Sequence, residues 1–411
     1  MIINKPYIET REDQTYLISK IKDEVSNIEE DVFFAVPNEY GNYLCDEVAD
    51  AFVVAMLLPA LVSKQDIYIN APISEILFYQ IENNLTYTLS KVFEKKPIKI
   101  IPKSTITLNF NPTAVATGFS GGIDSFTTVL QHTQDVTDNL ILTNLTLFNV
   151  GSYGNDYKKT QVTFAEDIKR AKSISNIFGL PLLTIDSNFN LFYNNREEKI
   201  FNFSPRSTMC LIAGVLSLQK FFKYYFISSS GTIEDIKLSK HDQYYYEWLV
   251  TSFLSNNNSQ IIIANSDLNR VEKTKYIADN KIAKNNLYVC AADIYNEKHY
   301  TQYKKDTRPN CSECIKCLRT LITLDLLGKI EHYSNRFDLQ KYRKHKDSIF
   351  INVLANYKKD HFLKEIHDLM IETNYQIPKK YKIKASLFKL RNRLARIQLI
   401  RVIYRFIFRN K

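Results

Sequence analysis

Long apolar segments, a Walker-type phosphate loop and a hydrophobic leader are all missing from this 411-residue chain. Its longest apolar run, Ala51 to Val62, is 12 residues and contains Pro59. A membrane-crossing helix needs about 17–25 residues. The opening Met-Ile-Ile-Asn-Lys-Pro-Tyr has no signal-type hydrophobic region, so a cytoplasmic protein is expected. No Gly-Lys-Ser/Thr ending occurs, which argues against P-loop NTPase chemistry. Acidic residues are absent from 379–411, which hold 12 Lys or Arg; removing them turns the net charge of +10 into −2. Any affinity for an anionic partner therefore belongs to the tail. Glycine is scarce, at 10 residues, whereas Tyr (26) and Phe (25) are plentiful. Hydrophobic content of 45% and charge of 24% describe a folded chain, with room for two or three domains of about 100–200 residues each.

The most informative stretch is Ser120-Gly121-Gly122-Ile123-Asp124-Ser125. It follows an apolar, β-branched run, Thr113 to Phe119, and precedes a helical pattern from Phe126 to His132. Strand, glycine turn and helix start together make a phosphate cradle. Glycines let the backbone approach an anion closely and adopt positive φ. The first helix amides are unpaired and point at that anion. Ser120 and Ser125 add hydroxyl donors, and Asp124 suits Mg2+ bridging phosphate oxygens. The plainer alternative is a turn with a serine helix cap.

Around this motif, residues 113–230 alternate strand and helix. Strands are expected at 113–119, 140–148, 182–185 and 224–228, with helices over 160–178 and 207–222. Gly179 and Pro181 terminate the first of these helices. The pattern predicts an α/β fold with a doubly wound parallel sheet, whose ligands sit beyond the strand C-termini. Gly151, Asp186 and Ser229-Ser230-Gly231 fall at that edge. Residues 1–110 read as a small α/β domain: a strand at 32–36, an apolar helix over 46–62, a strand at 66–70, and a helix over 74–91 whose apolar residues only partly form a stripe. One more strand is expected between Pro97 and Asn111. The expected domains are 1–110, 111–335 and 336–411, the last a helical extension.

Cys311-Ser-Glu-Cys314-Ile-Lys-Cys317 supplies three thiols at two-residue spacing, and Cys290 is a fourth candidate. Such turns let thiolates converge on tetrahedral Zn2+. Four protein ligands would close the site and make it structural. The alternative is a redox or sulfur-transfer pair. Cys45 and Cys210 lie in apolar segments and read as core residues.

The Ser120–Ser125 loop resembles the SGGxDS loop of the N-type ATP pyrophosphatases. Together with the zinc-type cluster after the nucleotide domain, it looks like 7-cyano-7-deazaguanine synthase and its relatives over residues 113–325. Ser204-Pro205-Arg206-Ser207 is similar to that family's Arg-bearing turn, Arg270-Val-Glu-Lys273-Thr274 to its basic helix start, and Cys317-Leu-Arg319 to its basic residue after the cysteines. The resemblance implies an adenine nucleotide alpha hydrolase-like fold and the cofactors ATP, Mg2+ and Zn2+. It also implies an enzyme that places AMP on a substrate oxygen, releases pyrophosphate and lets ammonia or another amine displace AMP. The implied nucleotide-binding residues are Ser120, Gly121, Gly122, Ile123, Asp124, Ser125, Arg206, Ser230 and Gly231. Asp124, Arg270 and Lys273 are the implied catalytic groups. Where the synthase carries a Tyr-Pro-Asp-containing segment, this chain has Ser230-Gly-Thr-Ile-Glu-Asp-Ile-Lys and then His241. The substrate is accordingly expected to differ: a carboxylate or amide on a small molecule, glycan or nucleotide, in surface-glycan assembly or defence. tRNA thiolation and an ATP-binding module without turnover are the alternatives.

Several residues have plainer readings. Arg206 can pair with a surface carboxylate, Arg270 and Lys273 can form a solvated helix face, His241 can be a surface histidine, and Glu234 and Asp235 can cap a helix. In the tail, Ile383, Leu387, Leu390, Leu394 and Ile397 form an apolar stripe among basic residues. Such a helix suits an anionic membrane surface, which would make the protein peripheral to the inner membrane face. It equally suits nucleic acid, or docking on the body or on a second subunit of a homodimer.

Overall fold

The computed structural model describes residues 1–134, 136–154, 156–193, 204–290 and 308–392. They fall into two compact units, Met1–Leu268 and Asn269–Lys411.

The first unit is built on one 11-stranded sheet. Its strands are β1 (Ile2–Ile3), β2 (Tyr7–Arg11), β3 (Gln14–Asp23), β4 (Ile28–Pro37), β5 (Ile67–Ser74), β6 (Ile100–Ile106), β7 (Ala114–Gly118), β8 (Asn144–Asn149), β9 (Leu182–Ser187), β10 (Phe222–Ser228) and β11 (Gln260–Ala264). The order is β11-β10-β7-β8-β9-β4-β3-β1-β5-β6, with β2 beside β3. The five strands β11-β10-β7-β8-β9 are parallel. The chain steps outward from β7 to β8 and β9, then returns past β7 to lay β10 and β11 on its other side. Strand order reverses between β7 and β10, the position at which open α/β sheets bind ligands beyond the strand C-termini. The expected α/β class with a mostly parallel central sheet is thus present.

β4 pairs antiparallel with β9 through Phe34–Ser187 and Ala35–Asp186. This covers the edge that β9 would otherwise expose. The first hundred residues therefore continue the central ladder, and the compact units divide at residue 268, unlike the breaks at 110 and 335 expected from composition. The ends of the strand order approach each other: Phe110, just past β6, donates its N–H to Asn258 Oδ1, just before β11, at 2.8 Å.

One apolar core joins the helices Asp50–Ser63, Glu75–Gln80, Thr86–Phe93, Ser207–Leu216 and Glu247–Leu254 to the sheet. The helix Asp50–Ser63 is buried at Asp50 and at every position to Leu61, as its continuous apolar sequence requires. The helix Tyr157–Phe178 covers the other face, where Leu147, Phe164 and Ala171 cluster while neighbouring Phe148 faces the main core. That alternation is the period of two of a strand covered on both sides.

The helix expected over 74–91 is three pieces, with a π-helical turn at Ile81–Leu85 between the two α-helices. Its buried residues Leu77, Ile81, Leu85 and Leu89 recur every fourth position. In a regular α-helix that repeat drifts by about 40° per step; the wider π turn brings it back into line. The helix expected over 207–222 ends at Leu216, and Phe222 opens β10. Strands β1 to β3 and β11 had no expected counterpart.

The second unit is helical among its described residues. Helix Ile315–Leu326 packs on Arg270–Ile277, Leu339–Asn356 and His361–Glu372. Residues 379–392 form a further helix.

Candidate nucleotide site and metal centre

The loop Ser120–Ser125 leaves β7 and enters the helix Ile123–Gln134. Gly121 has φ +77, a left-handed conformation that glycine adopts without a Cβ clash. Ser125 Oγ donates to Gly122 O at 3.1 Å, and the Gly122 N–H reaches Ser120 Oγ at 3.4 Å. Ser120 is exposed, Asp124 half-buried and Ser125 buried. The turn thus presents the helix N-terminus at the strand reversal, an arrangement that suits an anion. Asp124 in the first turn also complements the helix dipole.

Across the strand reversal, Thr128 Oγ1 meets Ser228 Oγ at 2.7 Å and accepts from Asn265 Nδ2 at 2.8 Å. These bonds tie the loop-bearing helix to the ends of β10 and β11. Asn265 sits at φ +59 and was not anticipated; an Asn ending an apolar strand is its only sequence signal. Past β10, Ser229 Oγ lies 2.6 Å from Gly231 O and 3.1 Å from Glu247 Oε1. A Cβ on Gly231 would lie 2.7 Å from the Tyr244 ring and 2.9 Å from Asp235 Oδ2. Asp235 forms a capping box with Thr232, so the cap reading describes it. Glu234 and His241 are exposed.

Arg206 is 1% exposed, which removes the surface-pair reading. Its Nη1 donates to Asn190 Oδ1, and its guanidinium lies 4.1 Å over the Tyr193 ring. A Cβ on Gly151 would come within 3.1 Å of the same Nη1, so the loop after β8 runs close over the arginine. Near the C-terminal end of β9, Asp186 accepts from Asn149 at 2.7 Å, Tyr157 at 2.6 Å and Gln161 at 3.1 Å. Burial raises the Asp186 pKa above the usual carboxylate range, against the lowering effect of these donors.

In the second unit, Arg270 and Lys273 open the helix Arg270–Ile277, capped by Asn269 in a box with Glu272. Lys273 is 1% exposed, so the solvated-face reading does not describe it. Arg270 is half-buried. Arg319 bonds Asp360 at 3.4 Å and lies 4.3 Å over the Phe362 ring.

The same unit brings Cys290, Cys311, Cys314 and Cys317 together, with all four sulfurs within 4.8 Å of one another. Cys311 and Cys317 sulfurs are 3.7 Å apart, against the roughly 3.8 Å edge of a tetrahedron with 2.3 Å metal–sulfur bonds. The two-residue spacing works because Ser312 adopts φ +65 and folds the chain back. The backbone N–H groups of Glu313 and Cys314 then point at Cys311 Sγ, at 3.3 and 3.0 Å, and that of Cys317 at Cys314 Sγ, at 3.5 Å. Such donors and the start of the helix Ile315–Leu326 favour thiolate over thiol. Crowding against the other sulfurs pushes the Cys290 and Cys317 pKa values up, and a cation among them reverses that effect. The cluster can hold a metal ion such as zinc. Cys45 and Cys210 are buried, as expected for core residues.

A cavity of about 300 Å3 lies at the opposite sheet edge from the Ser120 loop, lined by Ser74, Glu75, Tyr79, Thr107 and Asn256–Asn258 among others. Among the described residues no helix is long and apolar enough to cross a membrane. Comparison of the chain with protein-family models, curated proteins and solved structures finds no match.

Proposed function

We propose that this chain is an ATP-dependent, adenylate-forming ligase of the N-type pyrophosphatase kind. The observation that carries the reading is the Ser120–Ser125 turn: a positive-φ glycine between a central parallel strand and a helix N-terminus, at the point where strand order reverses. Positions of this kind bind nucleotides, with phosphates on the helix amides. In this reading the β- and γ-phosphates of ATP occupy the turn. Ser120 and Ser125 donate to phosphate oxygens, and Asp124 holds the Mg2+ that offsets charge on departing pyrophosphate. Ser230 and Gly231 border the nucleotide, while Arg206 supplies positive charge.

A carboxylate or amide oxygen of the substrate attacks the α-phosphorus and pyrophosphate leaves. An amine then adds to the activated carbon and expels AMP, losing a proton to solvent. No residue of the chain forms a covalent bond, and rate comes from positioning and from donors aimed at the phosphates. The Cys290, Cys311, Cys314 and Cys317 site holds structural zinc in this reading. Two of its four sulfur ligands are buried, which suits a closed site better than a sulfur carrier.

The test is ATP binding by titration calorimetry, with product analysis that resolves AMP and pyrophosphate from ADP and phosphate. Magnesium-dependent binding that is lost in Asp124→Ala, with AMP and pyrophosphate as products, is expected. ADP and phosphate as products, or no ATP binding at all, overturns the reading.

A further inference from the structure

The helix 379–392 carries apolar residues on two opposite faces, only one of which is buried. Tyr381 and Ala385 are its buried residues, at 4% and 3% exposure, with Phe388 half-buried one turn on. This inner row docks on the unit: the Tyr381 hydroxyl donates to Asp347 at 2.5 Å, and its ring stacks 5.6 Å from Phe350. Two residues along a helix correspond to about 200° of rotation, so Ile383, Leu387 and Leu390 form a second apolar row facing away. They are 62%, 59% and 53% exposed. The inner row is already docked, so this outer row is not the face with which the helix packs on its own unit.

The flanking residues identify what covers it. Lys382 lies about 100° and Lys389 about 120° to one side of the outer row, and Lys384 and Arg391 about 80–100° to the other; all four are exposed, although Lys389 also lies 5.9 Å from the Tyr357 ring centroid. No acidic residue occurs in the helix or anywhere in 379–411. An apolar row bordered on both sides by long cationic side chains matches the boundary of an anionic bilayer. The row enters the acyl layer there, and the cations reach back to the phosphates. A second copy of the same face would bring like charges together, and a nucleic acid has no use for the leucines.

We propose that the outward face of helix 379–392, through Ile383, Leu387 and Leu390 with Lys382, Lys384, Lys389 and Arg391, binds an anionic lipid surface. The full chain is the ligand in co-sedimentation with phosphatidylcholine vesicles, with and without phosphatidylglycerol. Binding is expected only to the mixed vesicles and should weaken as salt rises. Each cationic side chain near the surface strengthens binding roughly fivefold. The combined variant Lys382→Gln, Lys384→Gln, Lys389→Gln is then expected to bind about a hundredfold more weakly. The variant Ile383→Ser, Leu387→Ser, Leu390→Ser is expected to keep the wild-type melting temperature, because the three side chains are exposed, and to lose vesicle binding. Equal binding to both vesicle types overturns the proposal. So does binding undiminished in the serine variant. Absence of vesicle binding also overturns it, whether it comes with self-association that the serine variant abolishes or with retention of a duplex oligonucleotide.

Discussion

Asn310 Oδ1 accepts the backbone N–H of Cys290 at 3.1 Å and that of Val289 at 2.8 Å, while its amide nitrogen donates to Leu287 O at 2.9 Å. One side chain, 2% exposed, thus joins the extended segment bearing the fourth cysteine to the turn bearing the other three. Asn310→Ala leaves two backbone donors without their acceptor, at about 1–3 kcal/mol each where they are buried. A loss of about 2–6 kcal/mol is expected, with weaker zinc retention at intact cysteines. Thermal melts and metal-to-protein ratios after dialysis check this. Wild-type metal retention at lowered stability would separate the clamp from the metal centre.

The metal itself is expected to stabilise the second unit by on the order of 10 kcal/mol. Cys311→Ala removes the sulfur that accepts two backbone N–H groups. It should abolish stoichiometric zinc and lower the melting temperature to that of wild type treated with a strong chelator. Metal analysis with calorimetry of both samples decides it. Identical melting with and without chelator excludes a structural metal.

Gly121 is the most demanding position of the Ser120–Ser125 turn, because φ +77 is disfavoured for any residue with a Cβ. Gly121→Ala is expected to cost about 1–2 kcal/mol of stability. It should weaken ATP binding far more than Gly122→Ala, where φ is not left-handed. Titration calorimetry of the two variants gives the comparison. Gly231→Ala is expected to displace the loop after β10, since Tyr244 and Asp235 already occupy the space of a Cβ.

The parallel core was legible because its residues announce it. Buried strands such as Ala114–Gly118 and Leu182–Ser187 are short apolar runs bounded by turns, and Gly179 ends a helix where its left-handed φ requires glycine. β3 was not legible, because Lys20 on its exposed face interrupts the apolar run of Gln14–Asp23. β11 is a short run, Gln260–Ala264, between the polar segments 256–259 and 265–267, and it was not expected. The π turn at Ile81–Leu85 blurred a helical stripe that is regular once the turn is known. Of the two candidate sites, the glycine turn and the cysteine cluster could each be read from spacing. Asn265, Asn190 and Asn310 could not, since each acts through contacts that only the fold creates. Leu394 and Ile397 of the expected tail stripe lie outside the described residues.

His132 gives a pH dependence with a definite sign. The ring is 8% exposed, lies 3.9 Å from the Phe226 ring centroid and meets Leu140 O through Nδ1 at 3.3 Å. Burial lowers its pKa below 6.5, against the raising effect of the Leu140 carbonyl. Below about pH 6.5 the unfolded chain therefore binds a proton that the folded chain resists. Stability is retained above that pH and falls as pH drops through the window down to the folded pKa. Buried Asp50 and Asp186, whose pKa values are raised by burial, contribute a slope of opposite sign. Wild type alone would mix the three effects. His132→Phe removes one and leaves the carboxylates, so the variant should lose less stability than wild type between about pH 7 and pH 5. Urea unfolding at several pH values measures both. Parallel stability curves would mean that the imidazole is protonated in the fold, with the Phe226 face accepting the charge.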